Sequence, residues 1–182
     1  MSTTVDWRTV AAPPLATLDD LDALGVTGDP DDLNRLLDAA SAAARNYCGW
    51  LIGPTQTNTL LHGRHGGKVV TLPTLYLIDV HSVVVDGSTL EAVPAFLQSG
   101  VLQTQLPSTF SSCDVVCDHG YNPIPADVSI AVAGMVSRVT AAPAGVAQER
   151  LGAWSVSYRD AGVSVDPLGA AALAPYKLAH VP

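Results

Sequence analysis

Apolar and polar positions along the chain change period four times, and the changes divide it into blocks. From Thr17 the pattern is helical. Leu18, Leu21 and Leu24 are spaced for one face, Thr17 is suited to accept from a free backbone N–H, and Asp19 and Asp20 suit the positive end of the helix dipole. Gly25 marks the stop. Asp29 and Pro30 then give a cap and a first-turn proline. Leu33, Leu36, Leu37, Ala40, Ala43, Ala44, Tyr47 and Cys48 recur at three and four residues, predicting a long helix that ends at Gly49. Asp31, Asp38 and Arg45 fall off that stripe, and its alanines permit close approach of another helix.

Between Trp50 and about Asp118 the period becomes that of strands. Thr55–His62 and 68–72 read as a hairpin whose tip is the glycine-rich stretch 63–67, a segment able to order on assembly. Ile78–Val85 ends at Asp86-Gly87, a strong turn signal, with 90–93 as the expected return strand. Phe96–Gln98 and Val101–Gln103 flank Ser99-Gly100, and Cys113–Cys117 is the last strand. Helical spacing returns after Tyr121-Asn122-Pro123-Ile124-Pro125, with Val128, Ala131, Val132, Met135, Val136 and Val139 on one stripe that ends near Ala142-Pro143. Residues 152–158 alternate as a strand does. Asp166-Pro167 starts a short Ala/Leu helix that ends at Pro175-Tyr176, and the tail 177–182 is expected to be loose.

The predicted class is therefore α+β: a small helical bundle with an inserted antiparallel β unit and an extended C-terminal arm. As a single domain, 1–49 and 119–142 supply the helical core, 50–118 the β insertion, and 143–182 the arm and short helix. A split into two domains near residue 50 is less favoured, because neither flank alone buries its apolar stripe.

Composition narrows the function. In 182 residues, 48% are hydrophobic and 14% charged, and the mean hydropathy is +0.27. Either other subunits cover apolar surface or the core is rich in alanine and valine. No run of about 18 apolar residues is present, which argues against a membrane span. The first 15 residues lack the basic start and apolar stretch of a secretory signal, so synthesis in a cytoplasm is expected. The net charge is −8, with a pI near 4.7, which disfavours binding nucleic acid by phosphate neutralisation. Residues 1–40 hold Asp6, Asp19, Asp20, Asp22, Asp29, Asp31, Asp32 and Asp38 against Arg8 and Arg35. That bias means a solvated helical face, or a surface that repels DNA or meets a basic partner.

Few segments carry the spacing of a chemical motif. Gly63-Arg64-His65-Gly66-Gly67-Lys68 fails as a phosphate loop, because Val69 stands where a metal-binding Ser or Thr belongs and the glycine spacing is wrong. Cys113, Cys117 and His119 suggest zinc only weakly: on a strand the two cysteines share a face about 13 Å apart at roughly 3.3 Å per residue, and structural zinc needs four ligands. The remaining candidates, His62, His65, His81 and Cys48, are distant in sequence. Three cysteines do not suggest a disulfide scaffold. There is no Gly-x-Ser-x-Gly or His-Glu-x-x-His motif, and Glu91 and Glu149 are the only glutamates. No catalytic residue, cofactor or metal is predicted.

Four stretches, in order, resemble the head–tail connector (head-completion adaptor) proteins of long-tailed bacteriophages. They are 15–21 with the capped helix through to Tyr47-Cys48-Gly49; Val83-Val84-Val85-Asp86-Gly87; His119–Val128, containing Gly-Tyr-Asn-Pro-Ile-Pro; and Glu149-Arg150-Leu151-Gly152 with Trp154–Tyr158, followed by the terminal helix and Pro175-Tyr176. The terminal helix departs from the family in being Ala-rich and short of charge. The resemblance implies a non-enzymatic virion protein at the portal vertex, assembled from host cytoplasm as a ring of usually twelve copies beneath the portal. Such a ring extends the DNA channel, lets genomic DNA pass without specific binding, and gives the next neck or tail-completion protein a platform. Trp154, Val156, Tyr158 and Tyr176 are the candidate oligomer or portal anchors, with core packing as their other reading. A tail terminator or tail-completion protein is the alternative.

Overall fold

The computed structural model describes residues 12–62, 69–92, 95–103, 113–141, 148–151, 154–157 and 163–178. Its helices and antiparallel sheets make an α+β fold. The chain forms two compact units, one containing Pro14–Tyr47 and Pro125–Pro175, the other containing Cys48–Ile124 and the segment from Tyr176.

The first unit is helical. Helix α1 (Leu18–Ala23) starts with a reciprocal capping box, in which the Thr17 hydroxyl accepts from the Asp20 N–H at 3.3 Å and the Thr17 N–H donates to the Asp20 carboxylate at 2.7 Å. It ends in a Schellman pair, Gly25 N–H to Asp22 O and Val26 N–H to Leu21 O, with Gly25 at φ 71°. Helix α2 (Pro30–Cys48) is capped by Asp29, whose side chain accepts from Asp31 N–H and Asp32 N–H. Leu33, Leu37, Ala40, Ala44 and Cys48 are buried along it as their spacing predicts. The stripe is wider than expected, however. Ser41 is fully buried and accepts from the Leu15 N–H at 2.9 Å, pinning the segment before α1 to α2. Arg45, expected outside the stripe, is only 7% exposed. Desolvation lowers its pKa, and Asp38 on the same helix opposes that effect.

Helix α3 (Ala126–Ala141) buries Val128, Ala131, Val132, Ala133, Met135 and Val136. Helix α4 (Pro167–Leu173) is capped by Asp166, whose Oδ1 accepts from the Gly169 N–H at 2.8 Å and from the Arg138 guanidinium of α3 at 3.0 Å. One carboxylate oxygen thus caps α4 and ties it to α3. Gly169 is buried, and a methyl group there would lie 2.9 Å from that oxygen. The Tyr47 hydroxyl, in the last turn of α2, donates to the Ala170 carbonyl. Two strands complete the unit, β8 (Gln148–Leu151) and β9 (Trp154–Ser157), paired antiparallel. Alternation anticipates β9, whereas the partner Gln-Glu-Arg-Leu carries no strand pattern and is recruited by pairing.

The second unit holds two antiparallel sheets. Strands β1 (Gln56–His62), β7 (Cys113–His119), β3 (Leu77–Val85) and β4 (Ser88–Thr89) lie in the order β1-β7-β3-β4. Strands β2 (Val69–Thr71), β6 (Val101–Gln103) and β5 (Ala95–Leu97) lie in the order β2-β6-β5. The expected hairpin of Thr55–His62 with 68–72 is therefore not formed. β1 pairs with β7 along all seven residues, and β2 pairs with β6. β1 matches β7 residue for residue, from Gln56 with His119 to His62 with Cys113. The tip at 63–67 lies outside the described residues. The return strand after Asp86-Gly87 also begins earlier than expected, at Ser88. Both turn residues have positive φ (48° and 83°), so Val85 pairs directly with Ser88.

Every second residue of β7 is buried (Cys113, Val115, Cys117 and His119). Cys113, Val115 and Cys117 join Val80, Val83 and Val85 of the same sheet with Val70 and Leu102 of the other in one core, against which Phe96 and Leu90 pack. Gly100 closes the β5–β6 turn at φ 79°. Its carbonyl accepts from Leu72 N–H at 2.7 Å, and a Cβ there would stand 2.3 Å from the Thr74 carbonyl oxygen. Replacement by any L-residue meets both strain and a backbone collision. Gly100→Ala is expected to cost about 1–3 kcal/mol, measured as a fall in the denaturation midpoint with an unchanged m-value; wild-type stability would contradict this packing.

Candidate functional site

Three stretches quoted for the family resemblance meet in the β unit: the residues after α2, the residues after β7, and the segment from Tyr176. Trp50 follows Gly49, whose φ of 79° ends α2, and its side chain is fully buried. The Trp50 indole N–H donates to the Tyr176 carbonyl at 2.7 Å. Two residues on, the Leu178 N–H donates to the Cys48 carbonyl at 2.8 Å. Together these bonds hold the C-terminal segment against the start of the β unit.

Tyr121 completes the node. Its ring lies 4.6 Å from that of Tyr76, 6.1 Å from Trp50, and 5.8 Å from Tyr176 in an edge-on arrangement at 89°. The Tyr176 pair sets a ring edge against a ring face, while the Tyr76 pair, at 32°, is nearer to offset stacking. Backbone bonds fix the ring's position, because Gly120 N–H donates to Tyr76 O at 3.0 Å and Tyr121 N–H to Gly53 O at 2.9 Å. Gly120 is required there: φ is 106°, and a Cβ would lie 2.7 Å from the Pro54 carbonyl oxygen.

His119 sits below Trp50, with ring centroids 6.4 Å apart. Burial holds its pKa down at about 4, partly opposed by Asp118, so the imidazole is neutral near pH 7. Burial likewise pushes the Cys48 thiol up to about 11, the Cys113 thiol to about 11 and the Cys117 thiol to about 12. These thiols are packing groups, since the reactive species is the thiolate. Cys113, Cys117 and His119 share the buried face of β7, and among the described residues no three His, Cys, Asp or Glu side chains gather as a metal site. The stretch 63–68 lies outside the described residues. No helix among the described residues is long and apolar enough to cross a membrane.

Of the anchors expected from sequence, Tyr176 is half-buried within the node. Trp154 and Val156 lie on β9, and Tyr158 lies outside the described residues. Sequence reasoning did not single out Trp50, Tyr76 and Tyr121 as a set, because their meeting depends on backbone bonds between distant segments. It also passed over two exposed apolar side chains of the helical unit, Ile130 on α3 and Leu168 on α4, the latter 77% exposed. Their signal was legible in one case: no charged residue occurs from Pro167 to Tyr176.

Two outcomes follow. Trp50→Phe keeps an aromatic ring but removes both the donor and part of the buried indole, so a loss of at least about 1–3 kcal/mol is expected, with faster hydrogen exchange at the Leu178 amide; exchange equal to wild type would contradict this fastening of the terminal segment. At pH 8 the native protein should leave Cys48, Cys113 and Cys117 unlabelled by a thiol reagent on the time scale that labels the unfolded chain completely. Rapid native labelling of any of the three would contradict their burial.

No family model matches the chain, and no curated protein matches it. Among solved structures, it is similar to a chain in the neck of an empty GTA particle computed with C6 symmetry. That likeness covers 95% of this chain and 95% of the other at a TM-score of 0.62 and 16% identity, so the two share a fold along nearly their whole lengths.

Proposed function

We propose that this chain is a structural subunit of the neck of a phage-like particle, a head-to-tail adaptor without catalytic activity. The observation that carries the reading is the full-length likeness to a chain in a particle neck. The fold is matched from end to end, so the likeness is not that of one common module. The ordered sequence motifs support the same reading independently, and two of their residues, Tyr121 and Tyr176, pack together in the aromatic node.

In this reading, copies of the chain form a ring beneath the portal. The ring extends the DNA channel and presents a platform to the next neck or tail-completion protein. A neck computed with sixfold symmetry accommodates rings of six or twelve identical copies, and the family resemblance favours twelve. The net charge of −8 suits a channel through which DNA slides without specific binding. Subunit or portal contacts are assigned to Trp154, Val156, Tyr158 and Tyr176, with the uncharged outer side of α4 around Leu168 as a further contact surface.

Light scattering on the purified protein, alone and mixed with the portal rings of the same particle, tests this. The expected result is binding at a fixed stoichiometry that is a multiple of six. Trp154→Ala with Tyr158→Ala should lose that binding while retaining the wild-type circular dichroism spectrum. A stable small oligomer with no affinity for the portal would replace the adaptor reading with that of a tail terminator or tail-completion protein.

A further inference from the structure

The outward side of the four-stranded sheet carries a polar cluster that the neck reading does not use. Strand β3 pairs with β7 through two register shifts, one between Leu77 and Asp79 and one between Val80 and Ser82. Leu77, Val80, Val83 and Val85 keep the buried positions, so Ile78 and His81 are the extra residues of two consecutive bulges. Bulges redirect side chains and weaken the local ladder. Here they bring Asp79 and His81 of β3 beside Asp118 of β7. The His81 Nε2 lies 3.0 Å from Asp118 Oδ1, and Nδ1 lies 4.0 Å from Asp79 Oδ2. Thr57 of β1 donates its hydroxyl to the same Asp118 oxygen. One carboxylate thus links three adjacent strands.

We infer that His81 is a protonation-operated clasp that fastens the doubly bulged part of β3 to β7. With both ring nitrogens protonated, the imidazolium donates to Asp118 and faces Asp79. Without the second proton, one ring nitrogen carries no hydrogen and the positive charge between the two carboxylates is gone. The charged groups around the imidazole are Asp79 on its own strand and Asp118 on β7. Asp114 lies further along β7, Thr57 is the neutral contribution of β1, and Asp86 lies at the far end of β3. Asp118 and Asp79 favour the cation. The hydrogen bond to Asp118 is the largest influence raising the His81 pKa, while the bonds from Thr57 and His81 lower that of Asp118. The sign follows. The histidine contribution is complete below its unfolded value of about 6.5 and is lost as pH rises through the higher folded value. The aspartate contribution is lost as pH falls below about 3.9 through its lower folded value.

The clasp also has a place in the fold. Asp118 precedes His119 and Gly120, and Leu77 follows Tyr76, whose carbonyl accepts from Gly120 N–H. The strand ends that His81 fastens are those that carry Tyr76 and Tyr121 into the aromatic node.

Histidine side-chain NMR with amide exchange on the full chain tests the inference. His81 should titrate above 6.5, and its midpoint should fall in Asp118→Asn, which keeps an acceptor for Thr57. Protection of the Val80–Ser82 and Val116–Asp118 amides, corrected for intrinsic exchange, should drop by roughly two- to fivefold between pH 5.5 and 8.5, a range set by an exposed ion pair. The drop should vanish in His81→Gln. An unshifted His81 midpoint, a midpoint insensitive to Asp118→Asn, or an equal drop in His81→Gln would each overturn the clasp. Should His81→Gln fail to fold, the Asp118→Asn midpoint decides alone.

Discussion

A single hydrogen bond, from the Trp50 indole to the Tyr176 carbonyl, joins residues 126 positions apart in the β unit. It can form only if the backbone delivers both groups in register. Gly49 must turn the chain out of α2 with a positive φ, Gly120 must fit against the Gly53 and Pro54 carbonyls, and Tyr121 must stand between the Trp50 and Tyr176 rings. Burial raises what is at stake, since an indole or carbonyl left unpaired in an apolar setting costs more than the net gain of making the bond. The result is a terminal segment held by side-chain and main-chain bonds together, with the Leu178–Cys48 bond as the second fastening.

The β unit meets a related constraint in its sheets. β7 has partners on both edges and buries alternate side chains, so its sequence Cys-Asp-Val-Val-Cys-Asp-His reads as a strand with one wet side. Its cysteines serve as small apolar groups with thiols held far above their ordinary pKa. On the wet side, two bulges in β3 shift its register against β7 where Asp79, His81 and Asp118 meet.

Much of this was legible in the sequence because local chemistry decided it. Thr17 with Asp20, Asp29 with Pro30, and Asp166 with Pro167 each marked a helix start correctly, since a cap is satisfied within three or four residues. Asp86-Gly87 marked its turn for the same reason. Strand partners were legible only across the tight turns, where β3 pairs with β4 and β5 with β6. The extended character of β1 and β2 could be read, but their partners depend on matching lengths and faces across the chain, and proximity in sequence suggested the wrong pairing. Arg45 was misjudged because a long stem can lie in an apolar stripe that its charge seems to forbid. Three of the four node aromatics, Trp50, Tyr76 and Tyr121, carried no signal of their own, although two of them lie in or beside motifs that supported the family resemblance.

The proposed role is that of a ring-forming part of a particle neck. Electron cryomicroscopy of phage-like particles produced from the genome that encodes it tests this most directly. The account predicts density between portal and tail that this fold fits, repeated six or twelve times around the axis, with the Tyr176 segment docked on Trp50 in every copy. Particles whose portal-to-tail density is complete without this chain would contradict it.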